Sequence, residues 1–156
     1  MKTPLSSRQY RDPAKRAAFY DQVLERVGSL PGVISAGFTN DIPLVQKGDV
    51  NGFTIEGRPR LSGNTFSNAN YRVVTQDYLR TIGVPLGEGR YLDRHDTADA
   101  PPVPLVNQAM KRKFWPNESA LGKRFRFGDS RPWVTIIGVV GNIRQSGLEK
   151  PPSPEM

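Results

Sequence analysis

The chain has 156 residues, 37% of them apolar, a formal net charge of +7 and no cysteine. That length and apolar share suit one domain with a packed core, or two small subdomains. The missing cysteine excludes disulfides, thiolate catalysis and cysteine-built zinc sites, while the basic charge permits nucleic acid, an anionic membrane surface or an acidic partner without choosing among them.

Asp12-Pro13 reads as an N-cap followed by proline at the first helical position. From there "AKRAAFYDQVLERVGSL" sets Phe19, Val23, Val27 and Leu30 on one face, flanked by Tyr20 and Leu24. This is the clearest amphipathic helix in the sequence, and Pro31-Gly32 ends it. "VISAGF" (33–38) predicts a strand and "NDIP" the turn leaving it. "GFTIEG" (52–57) predicts a short strand, "SGNTFSN" a loop and "NYRVV" (70–74) another strand. Thr75 is placed to cap a short helix, "QDYLRTI", closed by Gly83 in a left-handed conformation. "VPLGEGRYL" is extended with turns, and "DRHDTADAPP" is a polar loop. "VPLVN" (103–107) is a strand whose Asn107 caps the helix "QAMKRKFW", which offers Ala109, Met110, Phe114 and Trp115 to a core. "KRFRF" alternates as a half-exposed strand does. "WVTIIGVV" (133–140) is apolar on both faces and predicts one central strand. The tail "SGLEKPPSPEM" reads as polar and proline-rich. With 15 Gly and 14 Pro the elements are short and the turns many. The class is α+β.

The longest apolar run, "VTIIGVV", falls far short of the roughly 20 residues that span a bilayer. The opening "MKTPLSSRQYRDP" lacks the apolar stretch of a signal peptide, so none is expected. Both ends read as those of a piece of a longer protein.

Five features invite a chemical reading. Residues 111–131 carry Lys111, Arg112, Lys113, Lys123, Arg124, Arg126 and Arg131, with Phe125 and Phe127 interleaved. This resembles the stacking platform of single-strand nucleic-acid binders. Plain alternation, aromatics inward and cations solvated, accounts for the same pattern without a ligand. His95, the only histidine, lies among Asp93, Asp96 and Asp99, but the spacing is that of no standard metal site and no calcium loop. "GEGRYL" supplies Gly87 and Gly89 of a dinucleotide fingerprint but lacks the third glycine. Glu56, Glu88 and Asp93 are possible acid–base carboxylates that no spacing selects, and there is no G-x-S-x-G nucleophile elbow or Walker sequence. "NES" at 117–119 matches a glycosylation sequon, a pattern too short to carry weight. Residues alone therefore point to a basic α+β domain with a binding, structural or mechanical role, and a basic nucleic-acid-binding domain is the alternative.

The order of the motifs says more than any one of them. The segment Tyr10 to Leu44, then "YLRTIGVPLGEGRYL", "VPLVNQAMKRKFWP", "ALGKRFRF" and "VTIIGVVGNIR", resembles the MacB-like periplasmic core domain of FtsX-type ABC-transporter permeases. It looks most like the duplicated permeases abundant in acidobacteria. The resemblance implies one extracytoplasmic domain, tethered to the inner membrane in the full-length protein. It implies a porter-like α/β subdomain from residues 1–45 plus 132–156, and an inserted, smaller β-rich subdomain from 46–131. The function implied is non-catalytic: coupling ATP-driven transmembrane motion to substrate export or to a partner outside the inner membrane. The implied partners are the permease's own transmembrane segments and a cytoplasmic ATPase subunit, with a second permease copy or a periplasmic adaptor as further candidates. No catalytic, cofactor-binding or metal residue, no cofactor and no specific nucleic acid is implied.

Overall fold

Helix α1 (Pro13–Gly28) begins where the capping pattern places it: the Asp12 carboxylate accepts the Ala14 N–H at 2.9 Å and Pro13 fills the first turn. A computed structural model describes residues 12–45, 48–59, 67–97 and 99–156 of the chain. The stripe of Phe19, Tyr20, Val23, Leu24 and Val27 is half-buried, and no residue of α1 is fully buried. Tyr20 packs edge-on against Phe38 with ring centres 4.8 Å apart. Leu30, expected on the same stripe, is 56% exposed.

Residues 33–38 do not form the expected strand. They run extended past helix α2 (Tyr78–Thr81), and the backbone there is held by a single bridge, Thr39 to Val74, next to the Thr75 N–H bonded to the Phe38 carbonyl at 3.0 Å. Gly37 permits this approach, since a Cβ there would stand 2.4 Å from the Tyr78 Cα. Thr75 does not cap α2. Its hydroxyl accepts the Phe38 N–H at 2.8 Å, and Asp77 occupies the cap position. Gly83 takes the expected left-handed conformation at φ 71°.

Two sheets carry the core. The first holds β1 (Asp49–Ile55), β2 (Ser67–Tyr71), β5 (Arg124–Arg126) and β6 (Val134–Thr135) in the order β2-β1-β5-β6, all antiparallel. The second holds β3 (Leu86–Gly89), β4 (Leu105–Asn107) and β7 (Gly138–Val140) in the order β3-β7-β4, with β4 and β7 parallel. Helix α3 (Gln108–Phe114) follows β4 directly and packs on β4 and β7. Its N-cap is Asn107, as predicted, whose side chain accepts the Met110 N–H at 2.8 Å. "NYRVV" meets β2 only at Asn70 and Tyr71: the strand begins at Ser67, inside the predicted loop 62–68, and ends at Tyr71, while residues 62–66 of that loop lie outside the described residues.

The predicted central strand 133–140 is split between the sheets. The Ile136 N–H bonds the Lys123 carbonyl at 2.9 Å, on the side of β5, while the Ile137 N–H bonds the Pro104 carbonyl at 3.1 Å, on the side of β4. The segment changes sheets at Ile136–Ile137. Burial alternates over Trp133–Ile137 and is complete over Gly138–Val140, so the apolar run joins a half-covered strand to a fully covered one. Above it lies a file of rings, Phe114, Phe53, Phe125, Phe127 and Tyr71, each 5.2 to 5.7 Å from the next. Trp115, Phe53, Phe125, Met110 and Val106 are sealed from solvent, and losing an aromatic of this kind costs about 3–5 kcal/mol.

Candidate interaction site between the two sheets

The polar, proline-rich tail takes part in the pairing of the sheets. Residues 153–156 run between β2 and β4 and join the sheets. The Asn70 N–H bonds the Pro154 carbonyl and the Met156 N–H bonds the Asn70 carbonyl, both at 2.9 Å; the Arg72 N–H bonds the Met156 carbonyl at 3.0 Å. On the other side the Asn107 N–H bonds the Glu155 carbonyl at 2.9 Å, and the Asn107 side chain donates to the Ser153 carbonyl and accepts the Glu155 N–H. One side chain thus caps α3 and fixes the tail. Proline content and charge hid this, because the pairing is made by backbone groups that a sequence does not advertise.

Glu155 is buried here, 83 positions from its partner Arg72, whose Nε holds Glu155 Oε1. Gln145 donates to the same oxygen at 2.9 Å, and Asp41 stands 3.5 Å from Arg72 Nη1. Burial pushes the Glu155 carboxyl above its ordinary range, against the pull of Arg72 and Gln145. Gly48 lies over the guanidinium; a Cβ there would come within 2.8 Å of Nη1, and its φ of 68° also favours glycine. Arg72 Nη2 has no hydrogen-bond partner among the described residues. Beside this cluster opens a largely apolar cleft of about 260 Å³, lined by Val73, Val74, Tyr78, Val103, Leu105 and Ile143 among others. Nothing in the sequence singles out Arg72 or Glu155. Only the fold brings them together.

The sequence candidates separate. Phe125 is fully buried and Phe127 packs on the core, so neither offers a ring for stacking. Four of the cations meet acids: Lys111 with Glu88 at 2.5 Å, Lys123 with Glu118, Arg124 with Glu56, and Arg126 with Asp129 at 3.4 Å. Arg126 also lies 4.7 Å over the Trp133 ring. The basic stretch is therefore laced with carboxylates, Glu118 and Asp129 from within it and Glu56 and Glu88 from elsewhere in the chain. Glu56 and Glu88 serve there as ion-pair partners, and Ser119 donates a second bond to Glu88. Lys111, then Ser119, holds the Glu88 carboxyl below its usual range.

The loop around His95 closes on an arginine. Arg90 grips Asp96 with both Nη atoms, at 2.6 and 2.8 Å, and reaches Asp93 at 3.1 Å. The His95 side chain is 77% exposed and meets Asp93 at 3.1 Å. The Arg90 guanidinium holds Asp96 low, and the His95 N–H does the same for Asp93. No group of three His, Asp or Glu among the described residues is arranged to hold a metal ion. Gly87 and Gly89 belong to β3, where Gly89, at φ 74°, packs against the Ile137 carbonyl. A Cβ there would stand 2.2 Å from that oxygen, so this glycine is a sheet contact.

Comparison with known proteins follows the same lines. Residues 7–151 match the family described as the MacB-like periplasmic core domain. Among curated proteins the chain is similar to the macrolide export ATP-binding/permease protein MacB of Aggregatibacter actinomycetemcomitans, 28% identical over 56% of this chain and 13% of that protein. It is also similar to the MacB protein of Mannheimia succiniciproducens, 30% identical over 53% of this chain and 12% of that one. The chain thus spans only a small part of the length of these relatives. In fold it is similar to the periplasmic region of MacB from Actinobacillus actinomycetemcomitans, with a TM-score of 0.54, 18% identity, and coverage of 85% of this chain and 60% of that one. A domain of a permease protein from Porphyromonas gingivalis gives 0.52, 19% identity, and 81% and 47% coverage. No helix among the described residues is long and apolar enough to cross a membrane. The chain belongs to the MacB-like periplasmic core domain family of ABC-transporter permeases, and its place is on the extracytoplasmic side of the membrane.

Proposed function

We propose that this domain is non-catalytic and transmits movement. Transmembrane segments of the same permease, driven by a cytoplasmic ATPase subunit, would shift it, and the shift would serve export of a substrate or engagement of a partner outside the inner membrane. The observation that best supports this reading is the junction at residues 153–156. These residues bond the backbones of β2 and β4 together, so a pull on the segment is shared by both sheets rather than absorbed in a loop. A rigid body of this kind moves as a unit when one of its elements is displaced.

The test uses the whole permease with its ATPase. A cysteine at exposed Lys113 or Glu149 is labelled with maleimide in the nucleotide-free and the ATP-trapped states. The coupling reading expects the labelling rate to differ between the two states. Equal rates at every exposed position tried would count against it.

A further inference from the structure

Glu155 sits where the tail meets both sheets. Its backbone N–H and carbonyl both bond Asn107 of β4, while the flanking Pro154 and Met156 bond Asn70 and Arg72 on the side of β2. Its side chain lies in a cluster drawn from four other segments: Arg72 just past β2, Asp41 from the turn after residues 33–38, Tyr78 from α2 and Gln145 past β7. The Leu44 N–H bonds the Gln145 carbonyl at 3.0 Å, so the two outer segments are themselves tied together.

The charges in this cluster do not balance. Two carboxylates, Glu155 and Asp41, share one guanidinium, with side chains only 10%, 14% and 4% exposed. Gln145 and Asn107 are neutral, and burial raises the Tyr78 hydroxyl, so it stays neutral as well. Where two carboxylates share a buried site, the second negative charge is disfavoured and one of the pair takes up a proton. Glu155 is the more enclosed of the two. Its Oε1 already accepts from Arg72 Nε and Gln145 Nε2, which leaves Oε2 for the proton.

We propose that Glu155 is a proton-binding site that latches the tail into the junction between the sheets. With Glu155 neutral, Arg72 pairs with Asp41, the cluster balances and residues 153–156 stay seated between β2 and β4. When the proton leaves, two carboxylates face one guanidinium and the hold on the tail weakens. Burial, opposed by Arg72 and Gln145, holds the Glu155 carboxyl above its ordinary range. The latch is therefore closed on the acid side and opens as pH rises through the pKa of Glu155 in the folded protein. The coupling between the two sheets then depends on the pH of the compartment the domain faces.

Amide hydrogen exchange from acid to neutral pH tests this on the 156-residue chain, Glu155→Gln and Asp41→Asn. The reporters are the Asn107 and Met156 amides, bonded to the Glu155 and Asn70 carbonyls. Their protection, corrected for the intrinsic pH dependence of exchange, is divided by that of the Ile136 amide, which bonds Lys123 away from the tail. In the parent this ratio should fall at least about tenfold as pH rises. Glu155→Gln, which carries no proton to lose, should hold the ratio flat. Asp41→Asn should shrink the fall, because one carboxylate then faces one guanidinium. The Met156 α-carboxylate is ionised across this range in all three proteins and adds no difference between them. A flat ratio in the parent, or a fall of parental size in either variant, would overturn the latch. That outcome concerns the cluster alone and would leave the nucleotide dependence of labelling untouched.

Discussion

Helices α1 and α3 are both amphipathic, yet they lead different lives. Helix α1 has 16 residues and buries none of them; α3 has seven and buries Ala109, Met110 and Phe114. The longer helix has the clearer periodicity, and the shorter one carries the core. Periodicity reports which face of a helix is apolar. It does not report what covers that face. Helix α3 is pressed onto β4 and β7, with Trp115 just past its end at 1% exposure. Helix α1 has Phe38 and its neighbours, and the adjoining Ile34 is fully exposed.

The comparison breaks most readily by cutting a side chain from each region. Trp115→Ala should destabilise the domain by about 4 kcal/mol, because the site is sealed and the cavity cannot collapse. Leu24→Ala in α1 should cost only about 1 kcal/mol, since its half-buried side chain gives up little apolar area. Denaturant melts of both variants measure the contrast, and comparable losses would mean that α1 is as firmly packed as the sheets.

The buried ion pair comes between these two. Arg72→Met leaves Glu155 and Asp41 without their cation in a largely buried site, a loss of about 3 kcal/mol. Glu155→Gln should cost less, because the amide keeps a hydrogen-bonding oxygen without a charge to bury. The same pair sharpens the picture through pH. Glu155 is raised in the folded protein, so its contribution to stability is present below the ordinary carboxylate range and lost as pH rises through its own pKa. Glu88 is lowered by Lys111, so its contribution is present above that range and lost as pH falls. Melting curves between acid and neutral pH should therefore shift in opposite senses for Glu155→Gln and Glu88→Gln relative to the parent. The smallest effect belongs to the exposed loop: His95→Ala should move stability by less than about 0.5 kcal/mol.

Local signals were legible where one residue acts on its neighbours. The Asp12-Pro13 start of α1, the Asn107 cap of α3, the left-handed Gly83 and the inward Phe125 all follow from sequence rules that operate over a few positions. What stayed hidden needed partners far along the chain. "VISAGF" has strand composition but lies against Tyr78 at Gly37, with no strand paired to it among the described residues. "WVTIIGVV" shows its burial and conceals the change of sheet at Ile136–Ile137. The tail conceals the most: Glu155 reads as a solvated acid until Arg72 and Gln145 close on it. The candidate site was therefore invisible in the sequence. The family was not, because motif order survives where individual contacts cannot be read.

The most direct measurement is topological. In the full-length permease, stripped of other cysteines, His95→Cys places one thiol on the Arg90 loop, at a side chain 77% exposed. Intact cells are then treated with a membrane-impermeant maleimide. The account predicts labelling before lysis, which puts the domain outside the inner membrane. Labelling only after lysis would contradict it.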